Sequence, residues 1–159
     1  MTSTLDTINN REIIYLDISI NLDEISLFPK ENWLLFVIAD KAQIPLLDRF
    51  AELSLKHSPL FVCASGEASH EAEDAFDDAD LMNRINNAEN TDADNAFEDS
   101  PPTTAHGNLE EGVWFAIVAA NNGEYVIKKV VVANLTNTNY RQTIEVLIQK
   151  IKGGWLPPD

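Results

Sequence analysis

Almost everything that betrays a function by composition is scarce in this chain. Its single cysteine, Cys63, cannot form an internal disulfide, and a zinc site would have to recruit His70 and His106 at separations that match no short ligand motif. The six glycines fall at Gly66, Gly107, Gly112, Gly123, Gly153 and Gly154, and none of these spacings makes G-x-G-x-x-G or a phosphate-binding P-loop. Ser65 has Cys63 rather than glycine two residues before it, so it does not sit in a G-x-S-x-G nucleophile elbow. The longest apolar runs, Trp33–Ala39 and Val113–Ala120, are far shorter than the roughly 20 residues a spanning helix requires. Bases are also few, 11 against 26 acids, for a net charge of −15. Phosphate backbones and anionic lipid are repelled by such a surface, which argues against nucleic acid and membrane as partners. The N-terminus lacks a basic start followed by an apolar stretch, so no secretory signal is expected and a cytoplasmic location is the default.

What is present is a hydrophobic fraction of 45% in 159 residues, enough for one domain over 1–159 with its own core. Twelve of the 26 acids lie between Glu67 and Asp99, opposed there by one base, Arg84. Within this stretch residues 87–100 lack apolar periodicity and read as a mobile acidic loop. Asp92 and Asp94 hint at a calcium loop, but Phe97 and Thr103 stand where its glycine and its glutamate belong, and the pattern fails.

The flanking segments alternate between strand and helix periods. Glu12–Ile20 reads as an outer strand, and the continuous apolar run Trp33–Ala39 as a strand covered on both faces. Pro45 opens a helix that runs to about His57. Pro59–Ala64 is a second buried strand. A helix follows from about Glu67 to Asn86, with Ala68, Ala72, Ala75, Phe76, Ala79 and Met82 as its apolar stripe. A short strand is expected near Pro102–Ala105. Asn108 and Glu111 form a capping pair for a helix over Leu109–Ala120. Tyr125–Ala133 gives another strand, and Tyr140, Ile144, Leu147, Ile148 and Ile151 stripe a final helix that stops at Gly153–Gly154. The predicted fold class is α/β: a small doubly wound, mostly parallel sheet of about five strands with helices on both faces.

Ligands of such folds bind beyond the carboxyl ends of the strands. The first polar residues after each predicted strand are Asp40, Ser65 with Gly66, Thr103, Thr104 and His106, and Asn134. His70, Asp74 and Asp77 share a helix face near that rim, and Glu110 and Glu111 open the helix after His106. In a catalytic reading His106 and Asp40 do the acid–base work, while Asp74, Asp77 and His70 hold a metal. Each also has a plain structural explanation. Asp40, completed by Gln43, and Ser65 suit helix caps, and the His70 face suits a solvated surface. Cys63 is most simply a buried strand residue.

Three pieces, WLLFVIAD, FVCASGEASHEAEDAFDDAD and PPTTAHGNLEEGVWFAI, together resemble a small family of uncharacterised bacterial α/β proteins. In that family a strand ending in Cys-x-x-Gly leads into an acidic helix, and a Thr-Thr-x-His turn precedes a helix with an acidic pair and Trp-Phe. The matching positions are Cys63 and Gly66, Asp74 and Asp77, Thr103, Thr104 and His106, Glu110 and Glu111, and Trp114 and Phe115. Where the family pattern has aromatic residues this chain has Ser65 and Ala105. The resemblance implies the same fold and the same rim; it implies no activity and no cofactor.

Two functions follow as expectations. The first is a non-catalytic interaction module that offers its acidic region to a basic protein surface. The alternative is an enzyme with a site at the C-terminal rim, for instance a metal-dependent hydrolase.

Overall fold

The computed structural model describes residues 3–88 and 100–159. Within them six strands form one sheet in the order β1-β2-β6-β3-β4-β5. The strands are β1 (Ser3–Ile8), β2 (Arg11–Asp17), β3 (Trp33–Ile38), β4 (Phe61–Ser65), β5 (Thr103–His106) and β6 (Lys129–Asn134). All but the first run parallel. The helices are α1 (Ile44–Leu55), α2 (Ser69–Ala88), α3 (Leu109–Trp114, continued by a π turn over Phe115–Ala119) and α4 (Arg141–Lys152).

The expected α/β class holds, with one strand more than expected. That strand, β1, pairs antiparallel with β2 through a hairpin. Asn9 and Asn10 both take positive φ, at 55° and 61°, the backbone of a type I′ turn, whose twist matches that of the flanking strands. The segment expected to be the outer strand is therefore the second one in, and β1 covers its edge. The strand expected over Tyr125–Ala133 is shorter at its start, since regular pairing begins at Lys129 and Tyr125 and Val126 are exposed. The loop expected at 87–100 lies outside the described residues, except for the two residues that end α2 and Ser100.

Alternation along the strands divides the core in two. Leu35, Val37, Val62, Ala64 and Val131 face one side with Phe50 of α1 and Phe76 of α2. Leu34, Phe36, Cys63, Val130 and Val132 face the other with Ile117 beside α3 and Ile144 and Ile148 of α4. This explains why β3 has no polar position, since both its faces are dry. The chain winds outward through β3, α1, β4, α2 and β5 on one face. It then returns over the other face through α3 to place β6 between β3 and β2. No helix among the described residues is long and apolar enough to cross a membrane.

α2 outruns the layer it packs on. It has 20 residues to the 12 of α1, about 12 Å longer at 1.5 Å per residue. The apolar stripe predicted for α2 is buried at Ala68, Ala72, Ala75 and Phe76, but Met82 is 55% exposed.

Candidate functional site

Parallel pairing brings the carboxyl ends of β2, β6, β3, β4 and β5 to one rim, where Ser65, His106 and Asn134 end their strands; Thr103 and Thr104, expected at that rim, instead open β5, opposite Val62 and Cys63, because the strand runs on to His106. Between β3 and β4 the rim is closed by backbone. The Ala39 N–H donates to the Ser65 carbonyl, and the Ala68 N–H donates to the Ala39 carbonyl, both at 3.0 Å. Gly66 makes this approach possible: its φ is +97°, and a Cβ there would stand 2.3 Å from the Ala39 oxygen. Asp40 is engaged locally. Its backbone N–H donates to Gln43 Oε1 at 2.8 Å, and its carboxylate accepts from the Glu67 N–H at 3.4 Å. These contacts tie the entry of α1 to the turn before α2.

Chemistry gathers instead between β4, β5 and α3. His106 is 8% exposed and both ring nitrogens are engaged: Nε2 lies 2.8 Å from Thr104 Oγ1, and Nδ1 lies 2.7 Å from Glu111 Oε2. Two local features create the arrangement. Thr104 and His106 are two apart on a strand and so share a face. Glu111 is brought into reach by Asn108, whose side chain caps α3 by accepting the Glu111 N–H at 3.0 Å, the cap that the sequence indicated. Phe115, at the start of the π turn, lies against the imidazole with ring centroids 4.8 Å apart. Gly112 keeps α3 close, because a Cβ there would meet His106 Cβ at 3.0 Å and the Phe36 ring at 3.1 Å. Ser65 pairs with His106 across the ladder, and its buried Oγ has no hydrogen-bond partner among the described residues. Cys63 pairs with Thr104. Burial pushes its thiol up to about 12, the Glu111 charge adds to that shift, and the Thr104 hydroxyl opposes it. It is not a thiolate at neutral pH.

The remaining candidates part company. Glu110 turns away from His106 to Lys150 of α4, at 3.2 Å, and Lys150 also lies 4.6 Å from the Trp155 ring centre. Thr103 points to the opposite face of the sheet from Thr104. There its hydroxyl bonds Asp77, whose carboxyl is raised by partial burial and by the neighbouring Asp74, Asp80 and Asp78. His70, Asp74 and Asp77 are exposed along α2. No group of three or more His, Cys, Asp or Glu side chains among the described residues is placed to hold a metal ion. The fold thus unites Ser65, Thr104, His106 and Glu111 on one face of the sheet and leaves Thr103, Asp74, Asp77 and His70 on the other.

A second polar centre escaped the sequence reading. Asn134, at the end of β6, donates to Tyr15 Oη, Asp17 Oδ1 and the Thr138 carbonyl, and accepts from the Thr136 N–H and hydroxyl. Tyr15 Oη donates to Asp17 and accepts the Tyr140 N–H. Burial, helped by the Asp17 carboxylate, raises this phenol to about 12. Asn134 was visible as a rim residue, but its partners Tyr15 and Asp17 are more than 100 positions away in sequence. All its polar atoms are satisfied within the fold, as buried amides require.

The described surface also carries a groove between α1 and α2, with a volume of about 420 Å³. Ala75, Ala79 and Met82 form its floor and Asp48, Glu52 and Asp78 stand along it. Met82 is 55% exposed there, and on other faces of α2 Leu81 and Ile85 are 49% and 45% exposed. Half-exposed apolar side chains clustered among carboxylates mark a surface that water does not satisfy well.

No curated protein matches the chain. Residues 13–151, from the first core position of β2 to the last of α4, match one family described only as a domain of unknown function, DUF7684. The chain belongs to that family.

Proposed function

We propose that this domain is a protein-interaction module whose α2 side receives a partner with a basic surface. The single observation that carries the reading is the coincidence, on one helix, of concentrated negative charge and unburied apolar side chains. α2 presents Glu71, Glu73, Asp74, Asp77, Asp78 and Asp80; Arg84, its one base, is paired with Asp80. Charge of one sign speeds and selects encounters with an oppositely charged partner, while desolvated apolar contacts supply most of the affinity. The net charge of −15 turns the same surface against nucleic acid. Quantitative affinity capture with the full chain, compared with a Glu71→Lys, Asp74→Lys, Asp78→Lys variant, tests it. A specific partner enriched by the native chain and lost with the variant is expected. Equal recovery with both, or no specific partner with either, overturns it.

A second reading, an enzyme acting at the rim, is favoured by one geometry: the hydroxyl, imidazole and carboxylate series Thr104–His106–Glu111. It has the order in which a base, oriented by an acid, takes a proton from a hydroxyl. Turnover of simple esters or phosphoesters that disappears in a folded His106→Gln variant is the result this reading requires. No turnover by the native chain removes it.

A further inference from the structure

We infer that the groove between α1 and α2 seats one basic amphipathic helix of a partner protein, a refinement that rests on the interaction reading above. The shape comes first. The floor residues Ala75, Ala79 and Met82 repeat at intervals of four and three along α2, which is the spacing of a ridge that another helix packs against. Ala75 is buried in the core below, and the small, partly exposed Ala79 leaves room for a larger side chain of an incoming helix. From Ala75 to the end of the groove at Asn86 the length is about 16 Å, three turns of helix. Seated there, a partner helix would bury its apolar stripe on these residues and cover Met82, which is 55% exposed.

Charge then chooses the occupant. Asp48 and Glu52 stand one turn apart on α1, and Asp78 stands across from them on α2. Arg49 pairs with Glu52 at 3.5 Å, in a contact where both side chains are more than half exposed, and such a pair is readily exchanged. A second copy of this chain brings a further −15 to an already acidic groove. The chain's own residues 89–99 carry five acids and no base, so they are repelled as well. A helix with lysine or arginine flanking its apolar stripe is complementary on both counts.

The test uses the full chain and a synthetic helical peptide of about sixteen residues with lysines on one face and leucines on the other. A peptide of the same composition with its helix broken by proline is the control. Binding is followed by fluorescence anisotropy and by amide chemical-shift mapping. Ala79→Trp fills the groove without changing charge, and is expected to weaken binding about tenfold or more. Met82→Gln, at an exposed position, gives the same direction should the larger substitution disturb folding. Glu52→Gln with Asp78→Asn should cost about tenfold, whereas Glu31→Gln with Glu124→Gln, equal in charge but exposed on neither α1 nor α2, should cost less than about twofold. Shifts confined to α1 and α2, with preference for the helical peptide, complete the expected result. If both charge pairs lose affinity equally and Ala79→Trp and Met82→Gln do nothing, attraction is diffuse: the groove is overturned while partner capture by α2 still stands. If the native chain does not distinguish the helical peptide from its proline control, the helical occupant is overturned, again without touching the capture result.

Discussion

His106 Nδ1 stands 2.7 Å from Glu111 Oε2, and this bond joins the last residue of β5 to the first turn of the helix that follows. The other ring nitrogen reaches back to Thr104, so one buried imidazole fastens strand to helix. Truncating Glu111 to Ala leaves a buried ring nitrogen short of a partner and should cost about 1–2 kcal/mol. His106→Ala also opens a cavity beneath Phe115 and should cost about 2–4 kcal/mol. Urea unfolding followed by circular dichroism measures both. A His106→Ala chain as stable as the native one would show that the contacts do not hold the fold.

Gly66→Ala should be among the most damaging single changes available. The added methyl meets the Ala39 carbonyl at 2.3 Å, and the +97° φ must be kept or the turn rebuilt. A loss of more than about 3 kcal/mol is expected, read as a fall in the urea midpoint or as failure to accumulate folded protein. Near-native stability would mean that β3 and β4 can separate at this end.

Cys63 gives the fold a pH dependence on the alkaline side. Its thiol is raised from an ordinary value near 9 to about 12, so between those values the folded chain holds a proton that the unfolded chain has lost. Stability contributed by this group is full below pH 9 and falls as pH rises through the window, by about 1.4 kcal/mol per pH unit. The difference in unfolding free energy between native and Cys63→Ala chains should therefore shrink from pH 8.5 to pH 10. In the folded state at pH 8 the thiol should also resist a disulfide reagent that attacks it freely in urea. Rapid native-state labelling would contradict its burial.

Tyr15 and Asn134 offer an independent check. The chain has three tyrosines, and one phenol, that of Tyr15, should ionise late, at about 12, in an ultraviolet titration of folded protein; Tyr15→Phe should remove that late step. Asn134→Asp replaces a donor with an acceptor facing the Asp17 carboxylate and the Thr138 carbonyl. Destabilisation of about 3 kcal/mol at neutral pH is expected. The penalty should be smaller at pH 4, where the introduced carboxyl takes up a proton. An unchanged penalty would point to lost shape rather than lost donors.

Much of this architecture can be read from residue order. The doubly apolar run Trp33–Ala39, the Asn108–Glu111 cap and the stripe from Ile144 to Ile151 each declare an element through local physics: period, capping and burial demand. The strand Ser3–Ile8 does not, because STLDTI has too little apolar surface to signal pairing, and it exists only because β2 presents an open edge. The same limit governs the rim. Strand direction makes it predictable that Ser65, His106 and Asn134 share one end. Which face each side chain takes depends on strand register, and whether a carboxylate reaches an imidazole depends on helix placement.

Composition and pattern by themselves determine an α/β class and a net charge of −15, with the negative charge concentrated before residue 100. Only the tertiary structure decides that the expected metal candidates and the imidazole lie on opposite faces of the sheet, that Tyr15 meets Asn134, and that α2 leaves Met82 half exposed in an acidic groove. The reason is physical. Charge and periodicity are sums over neighbours in sequence, whereas a site is a set of distances between residues that only packing brings together.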